Sequence, residues 1–200
     1  WPPKAVQKTQ FYLRENGKFT TETPSSASFT EYFSDPNKPV PSSTNLKDFN
    51  GFTPRNYMSE DQRFTENRPD VASFTTEILS DDITLAGEIK VKLKIASTGS
   101  DADFFLKLID IYPADEKNFE KPEALVPNQE TEVVFNLQDV LHTFKKGHKI
   151  QIQVQSTAYP LFAVNPQKFV ENPYKAEKTD YTKAFQKIFN NSVIEVEVLK

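Results

Sequence analysis

Three stretches of the chain alternate apolar and polar residues with a two-residue period, which predicts β-strands that bury one face. In residues 89–95 the polar positions are lysines, in 150–155 they are glutamines, and in 194–198 they are glutamates. The period directs the apolar set inward and leaves the lysines, glutamines and glutamates outside. The positions predicted to face the interior are Ile89, Val91, Leu93, Ile95, Ile150, Ile152, Val154, Val196 and Val198.

Weaker strand patterns surround these three stretches, where aromatic and β-branched residues cluster. They cover residues 6–13, 27–33, 71–78, 104–112 and 131–135. Apolar spacing in 137–144 and 179–189 predicts one or two short helices, and the proline-containing stretch 34–53 predicts a long irregular loop. About eight strands and few helices predict an all-β fold, and we favour a two-sheet jelly-roll sandwich. The Cys-Trp-Cys core of an immunoglobulin sandwich is absent.

Composition narrows the function classes. A chain of 200 residues is consistent with a single domain, residues 1–200, and the absence of cysteine removes thiolate chemistry. A net charge of −4 with mixed signs argues against nucleic-acid binding. No apolar run approaches the roughly 20 residues that span a bilayer, so we expect a soluble chain with no membrane partner. Because the chain opens on a strand-like stretch, we expect a fragment of a longer protein, and a periplasmic or secreted parent stays open.

Candidate catalytic groups are few. A serine hydrolase commonly carries its nucleophile in a Gly-x-Ser-x-Gly frame, and this sequence has none. His142 and His148 are the only imidazoles, and turn or strand-edge packing is the favoured interpretation of both. Asp101 and Asp103 resemble part of a calcium loop, but the glycine and distal glutamate of an EF-hand do not follow, so turn capping is favoured over a bound ion. We predict no catalytic residue, no metal and no cofactor.

One apolar loop is a candidate interaction surface. The candidate residues are Tyr159, Pro160, Leu161 and Phe162. They directly follow a predicted strand, in a proline-bounded segment of the kind that forms a partner surface or the edge of a ligand cleft. The other aromatic residues, including Phe74, Phe104 and Phe135, lie in strand-like stretches, where core packing is the simpler interpretation.

A series of short motifs resembles one hydrolase family. In chain order they are YMSEDQRF at 57–64, RPDV at 68–71, STGSDADF at 97–104, KLIDIYP at 107–113, FEKP at 119–122, LQDVLHTFKKGH at 137–148, QVQS at 153–156, YPLF at 159–162 and NPQ at 165–167. Together they resemble the C-terminal domain of the family that includes α-amino-acid ester hydrolases, cephalosporin (glutaryl-7-ACA) acylases, cocaine esterase and X-Pro dipeptidyl peptidases.

The resemblance implies a galactose-binding-like jelly roll that is not catalytic. In that family the Ser-His-Asp triad lies in the preceding α/β-hydrolase and cap regions, so no catalytic residue is carried over. The resemblance implies a structural module that packs on the α/β-hydrolase domain of the same parent chain, borders its active site and contributes to homo-oligomer contacts. Whether the parent cleaves an ester, a β-lactam acyl group or an X-Pro peptide is left open.

Two departures from the family pattern stand out. Ala163-Val164 replaces the Asp-Arg of many relatives, and only residues 114–118 separate two motifs that relatives usually space further apart. Two rival functions also stay open. An exposed row of coplanar aromatic rings on one sheet would favour a carbohydrate-binding module. A pocket that holds His142 or His148 against a serine would favour an independent hydrolase.

Overall fold

The structure is a computed structural model, and it describes residues 1, 3–44, 59–111 and 127–200. The first two residues of the 57–64 motif, the end of the 107–113 motif, the 119–122 motif and the short link 114–118 lie outside the described residues. Along the described residues, no helix is both long and apolar enough to cross a membrane.

The described residues form ten β-strands, one short α-helix, α1, at Arg63–Glu66, and 3-10 turns at Glu15–Gly17 and Pro173–Lys175. The strands are β1 Val6–Arg14, β2 Lys18–Thr20, β3 Phe29–Ser34, β4 Val71–Thr75, β5 Ile83–Ser97, β6 Phe105–Ile111, β7 Thr131–Phe144, β8 Lys149–Gln155, β9 Ala184–Phe189 and β10 Val193–Leu199. The all-β prediction is confirmed, and each of the eight predicted strands overlaps an observed one.

Hydrogen bonds join the strands in the order β3-β9-β5-β10-β1-β2-β4-β8-β6, and β7 pairs with the other edge of β5. All pairings are antiparallel except the short contact between β2 and β4. Leu106 of β6 and Ile188 of β9 come from opposite ends of this order, yet both lie in one hydrophobic core. The connected strands therefore fold back into two layers around that core, as in a sandwich.

The core contains nearly all of the positions that the two-residue period directs inward. Eight of the nine predicted interior residues are buried, and the ninth, Val198, is partly buried against the same cluster. Phe74, Phe104 and Phe135 are buried as well, which confirms them as packing residues. The galactose-binding likeness and the extent of a single domain over residues 1–200 stay predictions.

The helix predicted for 137–144 is wrong, because these residues continue β7 alongside β5. Their register shifts between Gly87 and Ile89, which face Val140 and Leu137, so two residues of β7 lie opposite one residue of β5 and β7 has one extra residue in a bulge. Before the bulge the odd-numbered residues of β7 face the interior, and after it the even-numbered ones do. The apolar residues on the two sides of the bulge are therefore spaced as in a helix. Next to the bulge, Gly87 has a φ of 143°, a conformation that side-chain-bearing residues rarely adopt.

The helix predicted for 179–189 is also wrong, because its second half is strand β9. Ala184 and Ile188 face the interior, whereas Phe185 points outward. Apolar residues on both faces of this strand produce the spacing of one to four residues that suggested a helix.

Candidate functional site

The outer face of β8 is buried, although its alternation predicts a solvated one. Gln151, Gln153 and Gln155 are all buried, so the expectation that they face solvent is wrong. The reason is the segment that carries α1, which lies across this face: the Thr65 hydroxyl donates to Oε1 of Gln153 over 2.8 Å. Gln153 in turn donates to Gln151 over 3.1 Å. The amides are therefore bound to protein groups where water was expected.

Lys107 on neighbouring β6 belongs to the same covered face. Its side chain is completely buried, with 0% exposure, and its ammonium donates to Oε1 of Gln62 over 2.8 Å. Gln62 donates onward to the carbonyl of Glu60 over 2.8 Å, and the Glu60 carboxylate accepts from the backbone N–H of Thr44 over 2.7 Å. An ammonium at this depth is tolerated only with polar partners, so Lys107 fixes the 59–66 segment on the sheet.

A second buried polar cluster joins two motifs that are distant in sequence. Asn165 donates its side-chain amide to the carboxylate of buried Asp103 over 3.0 Å. Beside this contact the backbone of Gly99 lies so close to Gln167 that a Cβ atom there would come within 2.3 Å of the Gln167 carbonyl oxygen. Asp103 therefore anchors the loop that follows β8 through a contact between distant side chains, and the turn-capping interpretation of Asp101 and Asp103 stays a prediction.

Gln167 connects this cluster to β3 and β9. Its side-chain NH₂ donates to the carbonyls of Ser34, over 3.1 Å, and Thr182, over 3.0 Å. Its Oε1 accepts from Gln186 over 2.8 Å. These three hydrogen bonds use both N–H donors and the carbonyl oxygen of the Gln167 side-chain amide. They fix the end of the 156–169 loop.

The predicted interaction residues lie at the exposed part of that loop. Tyr159 and Phe162 are exposed, while Pro160 and Leu161 between them are half-buried. The backbone of Tyr159 donates to Val40 over 3.0 Å and accepts from Ser42 over 2.7 Å. The Phe162 ring packs against buried Phe105 with centroids 5.0 Å apart. The structure therefore brings the four residues together on a loop with a well-anchored backbone.

Both histidines contact a single carboxylate. His142 Nε2 lies 2.8 Å from one oxygen of Asp110, and His148 Nδ1 lies 3.0 Å from the other. Asp110 is buried at the end of β6, whereas His142 comes from β7, so the contact ties the two layers. Two imidazoles on one carboxylate hold an end of the sandwich in place but provide no nucleophile. Within the described ranges no group of three or more acidic, histidine or cysteine side chains could hold a metal ion.

Four phenylalanines occupy the outer face of the β3–β9 ribbon, and sequence reasoning did not single them out. Phe29 pairs with Phe189 across the strands and Phe33 pairs with Phe185, with ring centroids 6.0 and 5.1 Å apart. The ring planes within the pairs are inclined at 65° and 52°. Sugar stacking needs rings that share a plane, so this row does not meet the criterion for a carbohydrate-binding module.

Comparison with known proteins identifies the family whose members share these motifs. A family model described as the X-Pro dipeptidyl-peptidase C-terminal non-catalytic domain matches residues 1–188. Cocaine esterase from Rhodococcus sp. (strain MB1 Bresler) is 29% identical over 189 aligned positions, which cover 82% of this chain and 32% of the relative.

Two solved structures superpose closely on the chain. The aminopeptidase from a marine sediment archaeon, Thaumarchaeota archaeon, has a TM-score of 0.91 at 31% identity, covering all of this chain and 38% of its own. An α-amino acid ester hydrolase has a TM-score of 0.87 at 35% identity, covering 96% of this chain and 36% of its own. The chain thus spans about a third of the length of each of these relatives, and the remaining part of each lies in the same polypeptide.

Proposed function

Because the chain belongs to the family of X-Pro dipeptidyl-peptidase C-terminal non-catalytic domains, we propose that it is the structural module of a serine hydrolase. In this proposal it packs on the catalytic domain of its longer parent protein and borders the active site. The named relatives are an esterase, an aminopeptidase and an ester hydrolase, so the parent would cleave an ester or a peptide bond by acyl transfer. The parent's substrate follows from its catalytic domain.

One observation carries the proposal: several motif side chains are buried and hydrogen-bonded to other motif residues. Asp103 accepts from Asn165 of the 156–169 loop, the Asn165 side chain accepts from the backbone of Gln167, and Lys107 donates to Gln62. Buried side chains of this kind cannot touch a substrate. What they do is fix the backbone of the loop, as a supporting layer does for a binding surface.

The exposed residues of this loop are the proposed contact surface. Tyr159 and Phe162 present aromatic rings to solvent from a backbone that is hydrogen-bonded on both sides of Tyr159. Rigid aromatic anchors are the residues that contribute most at protein interfaces. In the parent protein they would pack against the catalytic domain and line the rim of its cleft.

The test is the kinetic effect of Tyr159→Ser in the parent protein, with Tyr174→Ser as the matched control. Tyr174 is 94% exposed on a separate 3-10 turn, so its loss should leave both constants unchanged. We expect Tyr159→Ser to raise KM several-fold with kcat nearly constant, since a rim contact binds substrate and transition state alike. Unchanged kinetics for both variants would contradict the bordering role.

The contribution to oligomer contacts is proposed on family likeness alone. Light scattering of the parent protein with and without residues Tyr159 and Phe162 changed to serine separates this role from domain packing. A change in molar mass assigns the loop to a subunit contact, and an unchanged mass removes it from that role.

A further inference from the structure

The β3–β9 ribbon departs from the usual alternation of a half-buried sheet, because it carries apolar residues on both faces. Its interior face holds Tyr32, Ala184 and Ile188 together with Ser34 and Gln186, all of them buried, while Phe29 and Phe185 on the outer face are 48% and 45% exposed. Antiparallel sheets normally direct apolar residues to the core and polar ones to water. We call the outer side chains Phe29, Phe33, Phe185 and Phe189 the phenylalanine face.

The outer surface of the adjoining strands shows what a solvated face looks like in this chain. On β5, Lys92 lies 3.4 Å from Glu195 of β10, and Lys94 lies 3.8 Å from Glu132 of β7. Ladders of opposite charges are ordinary for an exposed sheet. The same outer surface continues through Ala96, which pairs with Lys187 of β9, into the phenylalanine face. The change from charged to aromatic residues is therefore local to β3 and β9.

The charges within the phenylalanine face balance. The Lys187 ammonium lies 4.4 Å from the centre of the Phe29 ring and 3.7 Å from Glu31. Lys183 lies 5.8 Å from the centre of the Phe33 ring and 3.2 Å from Asp35. With each cation next to an anion, the surface has no net attraction for nucleic acid or an anionic membrane, and it suits a protein surface with an apolar centre.

A groove beside the rings offers room for a partner's side chain. Its volume is about 220 Å³, and Phe29, Phe185 and Phe189 line one wall. Ser97, at the end of β5, is among the residues that complete the lining. Phe29 and Phe185 alone expose roughly 200 Å² of ring surface, given about 200 Å² for a whole phenylalanine. The half-buried rings of Phe33 and Phe189 extend this apolar surface, and contiguous exposed apolar patches are often interaction sites.

We propose that the phenylalanine face docks on the part of the parent polypeptide that lies outside this chain. This inference rests on the proposed function, because it names a second contact surface for the same packing. Cocaine esterase and the two solved relatives all carry about two thirds of their length beyond the matched region. A partner in the same polypeptide is present at a millimolar effective concentration, which favours it over a second copy of the chain.

Hydroxyl-radical footprinting of the intact parent protein tests the proposal without any substitution. Trypsin cleaves after Lys183 and Lys187, so Phe185 is the only aromatic residue in its peptide. Val134 and Leu141, which are 49% and 67% exposed on β7, serve as references. If nothing covers the phenylalanine face, Phe185 and Val134 should be oxidised at similar rates after correction for intrinsic reactivity, because their exposed fractions in the chain are similar. Docking predicts that Phe29 and Phe185 react about fivefold or more slowly, as in the core of an interface.

Each outcome of the experiment has one meaning. Slow oxidation of Phe29 and Phe185 in the monomeric parent supports the docking. Oxidation at the rate of Val134 overturns it, and protection only at concentrations where the parent dimerises overturns it in favour of a second copy. The same spectra report on Tyr159 and Phe162. If these two react freely while Phe185 is protected, the loop contact of the proposed function fails and the docking of the phenylalanine face stands.

Discussion

Gln167 is the residue whose replacement should best reveal how the 156–169 loop is held. Its buried amide donates to the carbonyls of Ser34 and Thr182 and accepts from Gln186. Its backbone φ is 60°, a left-handed conformation that non-glycine residues seldom adopt. Gln167→Leu keeps the volume of the side chain and removes all three hydrogen bonds, so it isolates their contribution.

The expected cost follows from the groups left behind. Ser34 and Gln186 are buried, and an orphaned buried polar group costs about 1–3 kcal/mol, whereas Thr182 is nearer the surface and can bind water. We therefore expect Gln167→Leu to lower the free energy of unfolding by about 2–6 kcal/mol. That is a large share of the 5–15 kcal/mol typical of a domain.

Urea unfolding followed by far-ultraviolet circular dichroism measures this cost, and Gln167→Gly is the matched control. Glycine also removes the hydrogen bonds but adopts positive φ freely, so it should be about 1 kcal/mol less destabilising than leucine if side-chain volume contributes little. The double variant Gln167→Leu, Gln186→Leu should cost less than the sum of the two single changes. Each single change leaves one partner of the Gln186–Gln167 hydrogen bond without its counterpart, whereas the double change removes both partners. A cost below about 1 kcal/mol for Gln167→Leu would refute the reasoning.

Three further predictions concern the core, acid stability and chemistry. Val154→Asp should destabilise the chain by several kcal/mol, about the cost of an unpaired buried charge, and an unchanged melting temperature would contradict it. The hydrogen bond from Arg14 lowers the pKa of Glu15 from 4.5 to about 2, so the stability that this ionised carboxylate contributes is present above pH 4.5 and is lost as the pH falls toward 2. The melting temperature of Glu15→Gln should accordingly fall less than that of the wild type over this interval. A fluorophosphonate probe should label a serine of the parent outside this chain, and stoichiometric labelling within it would make the chain itself catalytic.

The two-residue period predicted the core well, because the alternation in β5, β8 and β10 reflects one real boundary between the interior and the outer face. It could not predict that the 59–66 segment, which carries α1, covers the outer face of β8. Glutamine is common on solvated faces, so the sequence around Gln153 gives no sign of burial. Gln153 is buried because its hydrogen-bond partner Thr65, distant in sequence, packs over it. Lys107 escaped notice for the same reason, since its partner Gln62 lies 45 positions away in the sequence.

The two wrong helices have different causes, and the second one is informative about function. In β7 a bulge shifts the alternation, which is a local geometric device. In β9 no bulge separates Ala184, Phe185 and Ile188, so apolar residues face both sides of a regular strand. A sequence pattern that disagrees with the observed secondary structure is expected where surface residues serve a partner and not the fold of the chain.

If Phe185 serves a partner instead of this fold, its replacement should cost the isolated chain little. Phe185→Thr introduces a β-branched residue that suits a strand and removes one half-exposed ring, whose contact with Phe33 contributes about 0.5–1.5 kcal/mol. Ile188→Ala, three positions later on the interior face, removes fully buried methyl groups and should cost about 2–5 kcal/mol. Both values come from urea unfolding of the same chain. A cost for Phe185→Thr equal to that for Ile188→Ala would assign the ring to the stability of the sandwich itself, and the apolar residues on the outer face of β9 would then need another cause.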